Sequence, residues 1–221
     1  MRNLDGKVRD AYAECQAISR KHYENFPTAS RLVTKDKRDA LAAIYAFARA
    51  ADDYADEPGK GTAPQRLQLL ADWRERLNEC YARPPEEIDH PVFLALGDAA
   101  RKYKLTRANL DNLLRAFEQD VRMNRHPDFN SLLSYCTCSA NPVGRLVLEL
   151  FDYRDPELLH LSDAICTALQ LANFWQDVSI DLGRDRVYLP LDEIGRFGLS
   201  VGSLDAFRLS NAPVRDGRWA Q

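Results

Sequence analysis

Apolar residues recur along this chain every three to four positions, and no stretch alternates with the two-residue period of a half-buried strand. That spacing predicts helices at roughly 5–24, 35–56, 62–82, 91–103, 106–123, 129–150 and 156–182. Helix breakers stand between them: Pro58-Gly59, Pro84-Pro85, His126-Pro127, Pro156 and Gly183. Thr106 and Asp155, each just ahead of a periodic run, read as N-caps. Asn141-Pro142 should break or kink the helix over 129–150, because proline has no N–H to donate. From Leu199 onward the apolar period fades into Ser, Asn, Pro, Gly and Arg, leaving room for one short helix near Leu204 to Leu209. With 221 residues and no internal repeat, the expectation is an all-α fold, one helical domain spanning 1–221.

Two of these helices end in acids. The first is apolar on nearly every side over Leu41 to Ala51, then crowds Asp52, Asp53, Asp56 and Glu57 into its last turns. The second, Asp163 to Leu182, is strongly apolar and carries Asp177 and Asp181 just before Gly183. At 100° per residue, Gln170, Asn173, Asp177 and Asp181 fall on one stripe. Tyr45, Arg49, Asp52 and Asp56 make a matching stripe on the first helix. Carboxylates ~6 Å apart repel by roughly 3 kcal/mol at an effective dielectric of ~20. The negative end of a helix dipole adds several tenths of a kcal/mol per acid. Water or bound cations must offset this. Either pair alone reads more readily as a solvated helix end. Two such pairs, each led by a polar stripe, tip the reading toward cations, and Mg²⁺ suits one or two carboxylates completed by substrate phosphates.

Composition narrows the partners. Thirty basic against 33 acidic residues, with no basic run, argue against nucleic-acid binding. Five scattered cysteines lack zinc spacing and read as reduced thiols of a cytoplasmic protein. No stretch approaches the ~18 apolar residues of a membrane span.

Five segments, taken in order, resemble the squalene/phytoene synthase family. They are His22 to Phe26, Tyr45 to Asp56, Tyr135 to Gly144, Gln170 to Asp181, and Arg186 to Pro190. Two details resemble its bacterial hydroxysqualene synthase branch: Gln176 directly before Asp177, where phytoene and squalene synthases usually have Arg, and the Ser139-to-Gly144 segment. The resemblance implies an isoprenoid-synthase-like helical bundle with a central cavity. It also implies Mg²⁺-dependent conversion of presqualene diphosphate and water to hydroxysqualene and pyrophosphate in squalene and hopanoid biosynthesis. A head-to-head transferase making presqualene diphosphate or phytoene is the alternative, and a non-catalytic assembly factor the third. Functional coupling to other squalene-pathway enzymes, and a position at the inner face of the membrane where a greasy substrate is collected, follow from the same resemblance. Family members continue beyond the second acid motif with further helices, so the expectation is a chain lacking that C-terminal part.

The resemblance assigns Asp52, Asp56, Asn173, Asp177 and Asp181 to Mg²⁺, with Arg49 and Arg186 on phosphate oxygens. His22 and Tyr188 are hydrogen-bonding candidates. Phe26, Tyr45, Phe47, Tyr135, Phe174 and Trp175 are candidate walls for a carbocation, which an aromatic face stabilises. Gln170 and Asn173 are placed to hold the water that captures it. Any one of these aromatics reads more readily as core, Tyr135 least so because a buried hydroxyl wants a partner, and Arg49 can pair with Asp52 or Asp53 one turn away. Asp120 and Arg122 match an acidic–basic stretch of the family and read equally as a solvated face. His90, His126 and His160 have no metal spacing and no assigned role.

Overall fold

The computed structural model describes residues 4–21, 33–204 and 206. Its helices are α1 (Leu4–Lys21), α2 (Lys35–Asp56), α3 (Ala63–Ala82), α4 (Pro91–Tyr103), α5 (Arg107–Arg122), α6 (Phe129–Ser139), α7 (Asn141–Leu150), α8 (Pro156–Gln176), α9 (Val178–Gly183) and α10 (Leu191–Arg196). No β-strand occurs among the described residues; one isolated parallel bridge joins Arg125 to Val187. The all-α expectation holds. The expected helix near Leu204 to Leu209 falls mostly outside the described residues, as do 22–24 of the first.

The apolar run of α2 puts it at the centre, against α1, α3, α4, α5 and α7. Six buried alanines, from Ala40 to Ala55, keep its surface low enough for neighbours on several sides. Phe47 fills the middle, edge-on to Phe93 with ring centroids 6.0 Å apart, and Trp73 donates its indole N–H to the Phe47 carbonyl at 3.2 Å. Phe47 is fully buried in this core, away from the acidic helix end, so it is packing rather than a cation wall.

The proline signal at 141–142 becomes a full break: α6 ends at Ser139 and α7 restarts with Pro142 in its first turn. Asp155 caps α8, accepting the Glu157 and Leu158 N–H groups at 2.9 and 3.3 Å. Gly144 lets α7 lie close on α8, because a Cβ there would sit 2.4 Å from Ser162 Oγ. Thr106 does stand at the start of α5, without a side-chain cap bond, and Glu149 ties α7 to this end by accepting the Thr106 N–H at 2.9 Å and the Asn109 side-chain amide at 3.1 Å.

Two expectations change. The helix predicted over 156–182 stops at Gln176, and Asp177 joins α8 to α9. Asp181 therefore lies in the first turn of a new short helix, where the dipole argument against acids does not apply. In addition, α8 buries only Phe174; Leu161, Ile165 and Leu169 face outward, Leu169 at 66% exposure. None of the described helices is long and apolar enough to cross a membrane. The five cysteines are unpaired, three of them buried.

Candidate active site

The end of α2 meets the chain just after α9. Arg186 reaches across 130 positions to Asp56 and forms a two-pronged pair, Nη1 to Oδ2 at 2.9 Å and Nη2 to Oδ1. The loop carrying Arg186 is held by the segment that follows α5. Val187 N–H donates to the Asn124 carbonyl at 3.0 Å, the Asn124 amide donates to Asp185 at 2.8 Å, and Arg125 pairs with Asp185. Asp185 turns the chain at φ +59°, a left-handed conformation that Asp tolerates better than most residues.

An open cleft of about 840 Å³ lies here, lined by charged groups from four parts of the chain. From α2 come Arg49, Asp52, Asp53 and Asp56; from α5 come Asp120 and Arg122; Arg184, Asp185 and Arg186 follow α9. Arg49 pairs with Asp53 at 2.8 Å and reaches Asp52 at 3.4 Å, so the pairing across one turn is realised. Arg66 of α3 completes the wall and donates to the Ala55 carbonyl at the end of α2.

The acids raise one another's proton affinity. Burial, then the neighbouring Asp56, push the Asp52 carboxyl up to about 6, although Arg49 and Arg186 pull the other way. Asp181 is raised by burial and then by Asp177, and it also feels Asp56 and Arg186. The two acid motifs thus share one electrostatic environment, with Arg186 between them. Asn173 donates to Asp177 at 3.2 Å, tying the polar stripe of α8 to the second motif. Among the described residues no cluster of three or more His, Cys, Asp or Glu is preformed for a metal. Each motif instead offers two carboxylates, the number Mg²⁺ commonly takes when phosphate and water complete its shell.

Beside the charged cleft stands an aromatic wall. Tyr188 stacks on Phe174 at 4.1 Å with planes 7° apart, and Tyr135 leans on both at 5.7 and 6.1 Å. His126, 2% exposed, packs against Tyr135 and Tyr188, and burial lowers its pKa so that the ring stays neutral. Tyr135 and Tyr188 both donate to Asp120, at 2.7 and 3.1 Å.

The structure brings together Asp52, Asp56, Arg49 and Arg186 around the cleft, with Asp181 and Tyr135, Phe174 and Tyr188 alongside. Tyr45 is half-buried on α2, two turns before Asp52, and Gln170 half-buried on α8, one turn before Phe174; neither lines the cleft. Trp175 is 59% exposed and outside the aromatic wall. His22 and Phe26 lie outside the described residues. The sequence reading missed His126, Arg66 and Arg184, and left Asp120 undecided. For Asp120 a signal existed: it continues the buried stripe of Leu110, Leu113 and Phe117 along α5, so it points inward.

A family model for squalene/phytoene synthase matches residues 19–218. The chain is 34% identical over 97% of its length to the hydroxysqualene synthase of Zymomonas mobilis, covering 71% of that protein. It is 31% identical, over 80% of its length, to the presqualene diphosphate synthase of Rhodopseudomonas palustris, of which it covers 62%. A squalene synthase crystal structure from Alicyclobacillus acidocaldarius superposes with a TM-score of 0.82 at 35% identity, covering 95% of this chain and 78% of that one. The sequence motifs, the paired acid ends and these likenesses agree: the chain belongs to the squalene/phytoene synthase family.

Proposed function

We propose that this protein is a hydroxysqualene synthase, converting presqualene diphosphate and water to hydroxysqualene and pyrophosphate with Mg²⁺. The observation that carries the reading is the pairing of the first acid motif with Arg186 at a charged cleft, with Asp181 of the second motif close enough to interact with Asp56 and Arg186, beside the Tyr135–Tyr188–Phe174 wall. An ionisable diphosphate needs the first, and the cation it leaves needs the second.

Asp52, Asp56, Asn173, Asp177 and Asp181 would hold Mg²⁺, which supplies charge neutralisation of the departing diphosphate. Arg186 and Asp56 satisfy each other. A diphosphate gives Arg186 an oxygen fork of the same geometry and frees Asp56, so ligand binding exchanges one bidentate pair for another. Arg49 sits one turn before Asp52 on α2, on the same edge of the cleft. Stacked aromatic faces offer the cation ~1–2 kcal/mol where water is excluded. Gln170 and Asn173, on the polar stripe of α8, would hold the attacking water. A position at the inner face of the membrane, and functional coupling to the other squalene-pathway enzymes, belong to the same proposal.

Incubating the protein with presqualene diphosphate and Mg²⁺, then identifying products by mass spectrometry, tests it. Hydroxysqualene and pyrophosphate are expected, and Gln170→Ala should shift products away from the alcohol. Conversion of farnesyl or geranylgeranyl diphosphate to presqualene diphosphate or phytoene would favour the transferase reading instead, against which Gln176 speaks. Binding without turnover of any prenyl diphosphate would favour a scaffold, against which retention of all four aspartates speaks.

A further inference from the structure

We propose that Asp120 is a positioning residue for the reaction, fixing the Tyr135 and Tyr188 phenols so that the aromatic wall keeps one geometry against the charged cleft. The inference rests on the reading above. Its evidence is the way one carboxylate is divided. Oδ2 accepts the Tyr135 O–H at 2.7 Å and Oδ1 accepts the Tyr188 O–H at 3.1 Å. Those tyrosines come from α6 and from the loop after α9, and Asp120 from α5, so three separated segments meet at two oxygen atoms. Tyr188 is in turn stacked on Phe174 of α8. Asp120 also lines the cleft that holds Asp52, Asp56 and Arg186. It stands at the seam of the two halves of the site.

A phenol donates one hydrogen, and its direction sets the direction of the ring. Burying a carboxylate among acids to achieve this works against folding, because burial and the nearby Asp56 disfavour its charge. A residue kept only for stability would not need that charge. Asparagine has nearly the same shape and avoids the cost, but it has one acceptor oxygen. In Asp120→Asn one phenol would face an NH₂ group, itself a donor, and must turn away. Displacing a wall of a reacting site by about an ångström can cost on the order of 10²-fold in rate.

The test compares wild type, Asp120→Asn, Tyr188→Phe and the double variant on presqualene diphosphate with Mg²⁺, alongside thermal unfolding at pH 8. We expect Asp120→Asn to lower kcat about 10- to 100-fold with KM within about 2-fold, in a protein at least as stable as wild type. In the Tyr188→Phe background the same change should cost at least about threefold less, since one of the two phenols is already gone. An unchanged kcat in an active enzyme would overturn the positioning role and leave the proposed function standing. So would a loss of kcat that came with a lowered melting temperature and a raised KM, the signature of general damage. Absence of turnover in wild type would overturn both proposals together.

Discussion

Removing the Arg186 guanidinium while keeping its apolar stem, as in Arg186→Met, exposes how tightly the two halves of the cleft are joined. Arg186 and Asp56 side chains are 15% and 22% exposed, so the pair lies between the surface and the deep interior. Exposed pairs contribute about 0–1 kcal/mol, whereas deleting one partner of a buried pair costs about 3–5 kcal/mol. The bidentate geometry and the proximity of Asp52, Asp120 and Asp181, all of which feel this arginine, place the cost near 2–3 kcal/mol. For a chain of this size each kcal/mol moves Tm by about 2–4 °C, so differential scanning calorimetry at pH 8 should show a drop of about 4–12 °C. The deficit should shrink toward pH 5, because Asp52 and Asp120, whose carboxyls are raised to about 6 and about 7, become neutral there and no longer crowd Asp56. A fall of less than 1 °C at pH 8 would show that Arg186 and Asp56 are not paired in solution.

Two further outcomes follow from the same structure. Phe47→Ala should cost about 3–5 kcal/mol in denaturant unfolding, as for other large core aromatics, while kcat of the folded fraction stays within about twofold; a selective loss of kcat would return Phe47 to the site. Asp120 faces Tyr135, Tyr188, Arg186 and Asp56, and its raised carboxyl means that its stabilising share is complete below pH ~4 and lost as pH rises through about 7. Asp120→Asn lacks that titration, so the stability of the variant minus that of wild type should grow by about 2–4 kcal/mol between pH 4 and 8 in parallel urea melts; a pH-independent difference would mean that the carboxyl is not buried as described.

The architecture was legible where local signals suffice. The ranges 35–56 and 91–103 match α2 and α4 residue for residue, with Pro58-Gly59 marking the end of the first and Pro91 the start of the second. The break at Asp177 left no such mark: Phe174-Trp175-Gln176-Asp177-Val178-Ser179 contains neither residue. The helix ends there while the chain beyond it, at 185–192, is bonded to 124–127, a pairing of distant segments that no window along α8 contains. Composition made α8 look buried on most sides, yet its outer apolar face has no partner among the described residues. The acid motifs were visible as positions, but their coupling depends on Arg186 meeting Asp56 across 130 residues. The stripe along α5 could point Asp120 inward, but its partners, like the surroundings of His126, exist only through the aromatic side chains that the fold gathers around them.

The proposed function requires the two acid motifs to act as one Mg²⁺–diphosphate site. Isothermal titration of the protein with farnesyl thiodiphosphate, a non-hydrolysable prenyl diphosphate, with and without Mg²⁺, tests it most directly. Binding should require Mg²⁺ and weaken at least about 100-fold in both Asp52→Ala and Asp177→Ala, one change in each motif, equivalent to about 2.7 kcal/mol. Equal affinity without Mg²⁺, or loss of binding in only one of the two variants, would contradict it.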